Sequence, residues 1–332
     1  MIWGLIGAST IAAEHMISAF RSQPDGQIGW VVSGNARHAK AYAATHNIPN
    51  ATSNLAEMLA DPKVDAVYIS STNEKHLGQA LAAIEAGKHV LCEKPLAMSV
   101  SDAAQMVAAA QAKGIVFATN HHLRNAGSHM SIRDLIASDK IGRVLSMRVH
   151  HAVYLPPHLQ GWRINDVAAG GGVIPDITVH DADTVRFHLG EDPIAVIAIA
   201  AISGLGQGVE DSVMSVWSMP SGAQVFAHDS FTHAFAGSGL EVHGTEGSIF
   251  ARNVMTQQPV GEIELVTNDG RQTVPFSTHG LYSQAVRRFV EAVNGTGTVS
   301  ASGEDGIKSL AIALAVRKAT QTGMRVYVDY GA

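Results

Sequence analysis

Along the first 120 residues, short β-branched apolar runs alternate with alanine-rich stretches whose apolar positions recur at helical spacing. Ile2–Gly7, Ile28–Ser33, Val64–Ser70, His89–Glu93 and Ile115–Asn120 read as strands. Between them, Ile11–Arg21, Ala36–His46, His76–Ala86 and Ser101–Ala112 read as helices. A strand that is apolar at nearly every position is covered on both faces, and helices between such strands are crossovers. The pattern therefore predicts an α/β domain with a doubly wound parallel sheet. In that architecture ligands bind beyond the carboxyl ends of the strands, where the strand order reverses.

After Asn120 the pattern changes. We expect a helix over Ser131–Ser138, a strand over Arg143–Val153, and a loop carrying Pro156, Pro157 and Trp162. The run Gly170–Gly172 leads to Pro175, a favoured first-turn residue, for a helix reaching about Leu189. From Ile194 to Pro275 a strand-rich meander is broken by turn signals at Ser221-Gly222, Thr245–Gly247 and Asn268–Gly270, and two helices follow, Leu281–Val293 and Glu304–Thr322. The expected division is residues 1–120 as the α/β domain and 121–332 as an α+β domain with a mostly antiparallel open sheet.

Composition narrows the class. The chain has 332 residues with 46% hydrophobic and 16% charged, which excludes disorder and coiled coil. Net charge is −6, from 23 Lys+Arg against 29 Asp+Glu without a basic block, so neither a nucleic-acid partner nor an anionic membrane surface is expected. The longest apolar run, Ile194–Ile202, is far short of the roughly 20 residues a bilayer requires. One cysteine, Cys92, excludes an internal disulfide and a Cys-rich zinc site. The opening MIWGLIGAST has no basic region before its apolar run, and a cytoplasmic location is the expectation. Of 17 histidines, seven lie between His121 and His180. Neighbours on a strand point to opposite faces, so the pairs His121-His122 and His150-His151 each offer one ligand per face, and no metal is expected.

The first candidate site is the turn from strand 1 into helix 1. Gly7, Ser9 and Ala12 fill the three small positions of a phosphate-binding turn, with Thr10 and Ile11 between them. Such a turn lets backbone approach a pyrophosphate at a helix N-terminus, where unpaired N–H groups and the helix dipole favour an anion. An NAD site places an acid at the end of strand 2 to bind the ribose 2′-hydroxyl. Here the strand ends Ser33-Gly34-Asn35-Ala36-Arg37-His38, without an acid. A hydroxyl and a guanidinium suit a 2′-phosphate, so NADP(H) is the cofactor we read, with His38 available to assist.

The strand-4 segment Ala86-Gly87-Lys88-His89-Val90-Leu91-Cys92-Glu93-Lys94-Pro95 and the segment Gly170-Gly171-Gly172-Val173-Ile174-Pro175-Asp176-Ile177-Thr178-Val179-His180 resemble the two signatures of the Gfo/Idh/MocA oxidoreductases. The resemblance covers essentially the whole chain and implies a two-domain NAD(P)-dependent sugar or polyol oxidoreductase. The segments 119–125, 150–163 and 252–257 are similar to a branch that reduces a sugar ketone with NADPH. That likeness implies cofactor contacts at Ser9, Thr10, Ile11, Ala12, Ser33, Gly34 and Arg37. It implies them also at Ser71, Thr72, Asn73, Glu74, Lys75 and His76 after strand 3, and at Glu93, Lys94, Asn120, Trp162, Arg163 and Tyr282.

Ketone reduction needs a proton for the oxygen as it becomes an alkoxide. Asp176 and His180 are four apart, so on a helix they share a face. His180 is the natural general acid, Asp176 can fix its ring or bind a substrate hydroxyl, and Lys94 can polarise the carbonyl. Whether His180 or Lys94 gives the proton stays open at this stage. His151 and Tyr154 are candidates for the wall of a sugar pocket. Two other readings stand beside this one: a different sugar or polyol enzyme of the same family, and a non-catalytic sugar or dinucleotide sensor. A small sugar is the expected partner, and the chain is expected to be a monomer or homodimer.

Overall fold

The computed structural model describes residues 1–331 and divides into two compact units. The first comprises Met1–His121 and Tyr282–Ile307, the second His122–Leu281 and the described residues from Lys308 onward.

In the first unit the apolar runs form a six-stranded parallel sheet: β1 (Ile2–Ile6), β2 (Gln27–Val32), β3 (Asn50–Thr52), β4 (Ala66–Ile69), β5 (His89–Cys92) and β6 (Phe117–Thr119). Their order is β3-β2-β1-β4-β5-β6, so the order reverses between β1 and β4. The first crossover begins as a π-helical turn, Ala12–Met16, and continues as α1 (Ile17–Arg21). The others are α2 (Ala36–His46), α3 (Leu55–Leu59), α4 (His76–Glu85) and α5 (Val100–Lys113). The edge strand β3 and the short α3 lie outside the sequence expectation. Helix starts carry their own chemistry: Asn35, Asn54 and Ser99 each accept a backbone N–H in the following first turn. Trp3 stacks on Phe20 at 4.2 Å and lies 5.2 Å from Phe289, which ties residues 282–307 into this core.

The second unit is built on one nine-stranded sheet. Its strands are β7 (Val144–Ala152), β8 (Ala195–Ala201), β9 (Ser212–Ser218), β10 (Gln224–Ser230), β11 (Gly239–Gly244), β12 (Gly247–Arg252), β13 (Glu262–Thr267), β14 (Gly270–Thr273) and β15 (Val326–Tyr327). They are ordered β14-β13-β12-β11-β7-β10-β9-β8-β15. Every pair is antiparallel except β7 with β10. The helices are α6 (Gly127–Ala137), α7 (Pro157–Gln160), α8 (Val179–Leu189), α9 (Leu281–Val293) and α10 (Gly303–Thr322). Of these, α9 past its first residue and the first turn of α10 belong to the first unit.

One face of the sheet is apolar and covered: Val149, Val225, Ala227, Trp217 and Val242 cluster with Val179, Ala182 and Val185 of α8 and Ile312 and Val316 of α10. Alternation puts Ile197 and Ile199 of β8 and Met214 and Val216 of β9 on the other face, where they are exposed. No helix among the described residues is long and apolar enough to cross a membrane.

Candidate active site

The candidate residues fall in both units, and each set is built by its own elements. In the first unit they gather at the carboxyl ends of β1, β2, β4, β5 and β6. Gly7 ends β1 with φ +112°, and a Cβ there would lie 2.9 Å from the Ser70 carbonyl carbon and the Ser71 nitrogen, so only glycine fits. The Ser9 hydroxyl contacts that of Ser70 at 2.7 Å and accepts the Ala12 N–H at 3.2 Å, capping the helix start, while Tyr42 donates to the Ser9 carbonyl at 2.9 Å. Ala12 is fully buried, whereas Thr10 stays exposed.

At the end of β2, Ser33 Oγ is 3.3 Å from His38 Nδ1, and Arg37 is exposed with no acid paired to it among the described residues. A Cβ on Gly34 would meet nothing within 4 Å, so that side of the turn is open. The rim at the end of β2 is therefore open and acid-free, with a hydroxyl and a guanidinium on it.

After β4, Ser71 donates to Gln79 Oε1 at 2.6 Å and Thr72 to Glu74 Oε1 at 2.7 Å, and Lys75 lies 3.5 Å from Glu74. Asn73 is buried. His76 is fully buried, with Nδ1 3.0 Å from the Pro95 carbonyl and Nε2 3.2 Å from that of Ser71. It thus joins the loops after β4 and β5, and burial lowers its pKa. Lys94, half-buried, follows Glu93 at the end of β5. Glu93 Oε1 accepts from Tyr68 at 2.5 Å and from Asn120 Nδ2 at 2.6 Å. Burial, and then the Glu93 carboxylate, hold the Tyr68 phenol well above its ordinary value. Cys92 is buried, and burial pushes its thiol up, as suits a core residue. Tyr282 is buried and stacks on His15 at 4.7 Å.

In the second unit the glycine run shapes the entry to α8. A Cβ on Gly171 would lie 2.6 Å from the Trp162 carbonyl oxygen and 2.8 Å from that of Asp166. Gly171→Ala should therefore lower stability by roughly 1–3 kcal/mol through overpacking against backbone, measured as a lower urea midpoint. An unchanged midpoint would mean the 162–166 loop yields freely. Past the run, Ile174–Thr178 forms a π-helical turn closed by the Val179 N–H to the Ile174 carbonyl, and α8 follows. The sequence predicts an ordinary helix here; the five-residue hydrogen bond widens its first turn. Such turns recur at functional sites, and the helix starts after Gly7 and after Gly170–Gly172 each have one.

Asp176 is half-buried, with Arg163 Nε 3.4 Å from its Oδ2, and the Arg163 guanidinium lies 4.8 Å over the Trp162 ring. His180 is buried. The His122 ring meets it edge-on at 4.8 Å, and His151 lies 6.3 Å away, centroid to centroid. Tyr154 is exposed just past β7. Sequence reading passed over His122 as a site residue; its place in the segment before the expected helix Ser131–Ser138 gave no sign that it would face His180. No group of three His, Cys, Asp or Glu among the described residues has the arrangement to hold a metal ion.

Residues 1–121 match the profile described as the oxidoreductase family, NAD-binding Rossmann fold, and 129–250 match the GFO/IDH/MocA C-terminal domain. The chain is 53% identical over 330 residues to the 1,5-anhydro-D-fructose reductase of Ensifer adhaerens, covering 99% of each chain. The chain belongs to the Gfo/Idh/MocA oxidoreductase family. Solved structures share its fold: levoglucosan dehydrogenase in complex with NADH and L-sorbose aligns at TM-score 0.87 and 25% identity over 100% of both chains. The aldose-aldose oxidoreductase from Caulobacter crescentus aligns at TM-score 0.90 and 23% identity, covering 98% of this chain and 99% of that one. The first unit is thus an NAD(P)-binding Rossmann fold, and the chain is an oxidoreductase of a sugar-acting family.

Proposed function

We propose that the protein reduces the C2 ketone of 1,5-anhydro-D-fructose to give 1,5-anhydro-D-mannitol, with NADPH as reductant. The observation that carries the substrate is the 53% identity, spanning 99% of both chains, to a relative named for that activity. NADPH, when bound, would supply the hydride for the ketone carbon. His180 delivers the proton to the oxygen, Lys94 stabilises the negative charge that develops there, and Asp176 orients His180 or a substrate hydroxyl. His151 and Tyr154 line the sugar pocket. Gly7, Ser9 to Ala12, Ser71 to Lys75, Glu93, Asn120, Trp162, Arg163 and Tyr282 hold the cofactor, and His76 fixes the loops after β4 and β5 beneath it.

Adding 1,5-anhydro-D-fructose to protein and NADPH should cause loss of nicotinamide absorbance, with the mannitol epimer identified by NMR. Binding of NADPH without oxidation by this or any other 2-keto sugar would make the chain a sensor and sink the proposal.

The preference for NADPH rests on Ser33 and Arg37 at the acid-free end of β2. A charge-assisted hydrogen bond to the 2′-phosphate is worth about 1.5–3 kcal/mol. Arg37→Ala should raise KM for NADPH about 10- to 100-fold and leave KM for NADH nearly unchanged. Equal loss with both cofactors would remove Arg37 from the 2′-phosphate site.

A further inference from the structure

Asp181 follows His180 on α8, and Asp229 lies on the neighbouring strand β10; both are fully buried. His151 Nδ1 is 2.8 Å from Asp181 Oδ1, and Thr178 Oγ1 donates to Asp229 Oδ2. The two carboxyl groups act directly on each other's ionisation inside this buried cluster. Among the described residues, no other group meets the remaining oxygens, Asp181 Oδ2 and Asp229 Oδ1. Two ionised carboxylates so placed repel, whereas one proton between them makes a hydrogen bond.

We propose that Asp181 and Asp229 share a single proton and act together as positioning residues for His151. The neutral Asp229 carboxyl donates to Asp181. Asp181 carries the one negative charge of the pair, accepts His151 Nδ1–H, and so sets the tautomer and charge of the ring 6.3 Å from His180. Thr178 orients the Asp229 carboxyl from the π-helical turn. Burial, then the charge of Asp181, pushes Asp229 well above the usual carboxylate range; burial also raises Asp181. His180 from α8 and His129 from α6 also bear on the His151 ring. The kinetic consequence of this pair rests on the proposed reductase activity; the shared proton does not.

Two isosteric changes push His151 in different directions. In Asp181→Asn the amide still accepts His151 Nδ1–H through its oxygen, but the negative charge moves to Asp229, so the His151 pKa should fall by roughly 1–3 units. In Asp229→Asn the amide donates to Asp181 in place of the shared proton, so the His151 pKa should stay or rise. Ring NMR of His151 across pH reads both, and the pH profile of kcat/KM should move with it. In the wild type, infrared spectra with [4-13C]Asp labelling should show a protonated carboxylic acid at neutral pH. Either Asn change should abolish that band. Its absence from the wild type overturns the proposal even if neither variant folds, as does its persistence in both variants. Equal His151 shifts in the two variants also overturn it. Failure to oxidise NADPH with 1,5-anhydro-D-fructose would overturn the substrate reading while the NMR and infrared results still decide this one.

Discussion

His180→Ala is expected to bind NADPH as the wild type does and to lose roughly 10²- to 10⁴-fold in kcat, the usual contribution of a positioned general acid. Two observations make this residue the choice. The ring is buried on a helix whose first turn is shaped by the Gly170–Gly172 run, so its position is set by packing. His122 and His151 crowd its ring, and neither is among the residues proposed to hold the cofactor, so NADPH binding should survive its loss. A fluorescence titration with NADPH and a steady-state measurement separate the two effects. His180→Gln keeps the volume and serves as a check against simple cavity formation. The assignment also has a sign in pH. A general acid works protonated, so wild-type kcat should fall as pH rises through the His180 ionisation, and the variant should lose that fall. An unchanged kcat would remove His180 from the chemistry.

The Rossmann half was legible because parallel strands covered on both faces leave unbroken apolar runs. Strand β3 escaped because Asn-Ala-Thr is too short and polar to show a period, and an edge strand needs little burial. In the second half, alternation marked the meander, yet alternation reads the same for parallel and antiparallel neighbours. The parallel pairing of β7 with β10 therefore had no local sign. Nor did the packing of residues 282–307 with the first unit, which depends on Phe289 meeting Trp3 across most of the chain. Candidate residues stood out where a motif compresses them into one segment, as at Gly7 to Ala12, Glu93 to Pro95 and Gly170 to His180. They were hidden where partners are distant: Asp181 and Asp229 meet only because α8 covers β10, and the sequence shows two unremarked acids. His76 shows the opposite case. Its place in a polar loop suggested a cofactor contact, and the fold gives both ring nitrogens backbone carbonyls to face.

Lys94→Met should reduce kcat by about 10²- to 10³-fold, the scale set by removing one donor from the site of developing charge. Methionine keeps the length and apolar stem of the side chain and removes the ammonium, so packing beside Pro95 and Leu96 is little disturbed. Lys94→Arg restores the charge on a larger planar group and should recover only part of the loss. The pH profiles distinguish the two candidate donors. If Lys94 acts as the electrophile and His180 as the acid, Lys94→Met lowers kcat at every pH and keeps the fall that belongs to His180. If Lys94 is itself the proton donor, Lys94→Met abolishes the pH-dependent fall, and His180→Ala retains it. NADPH binding supplies the control: Lys94 is also proposed to contact the cofactor, so Kd for NADPH should rise modestly while the larger loss falls on kcat. A variant whose loss lies wholly in Kd would make Lys94 a binding residue and leave the negative charge on the substrate oxygen to be met by His180 alone.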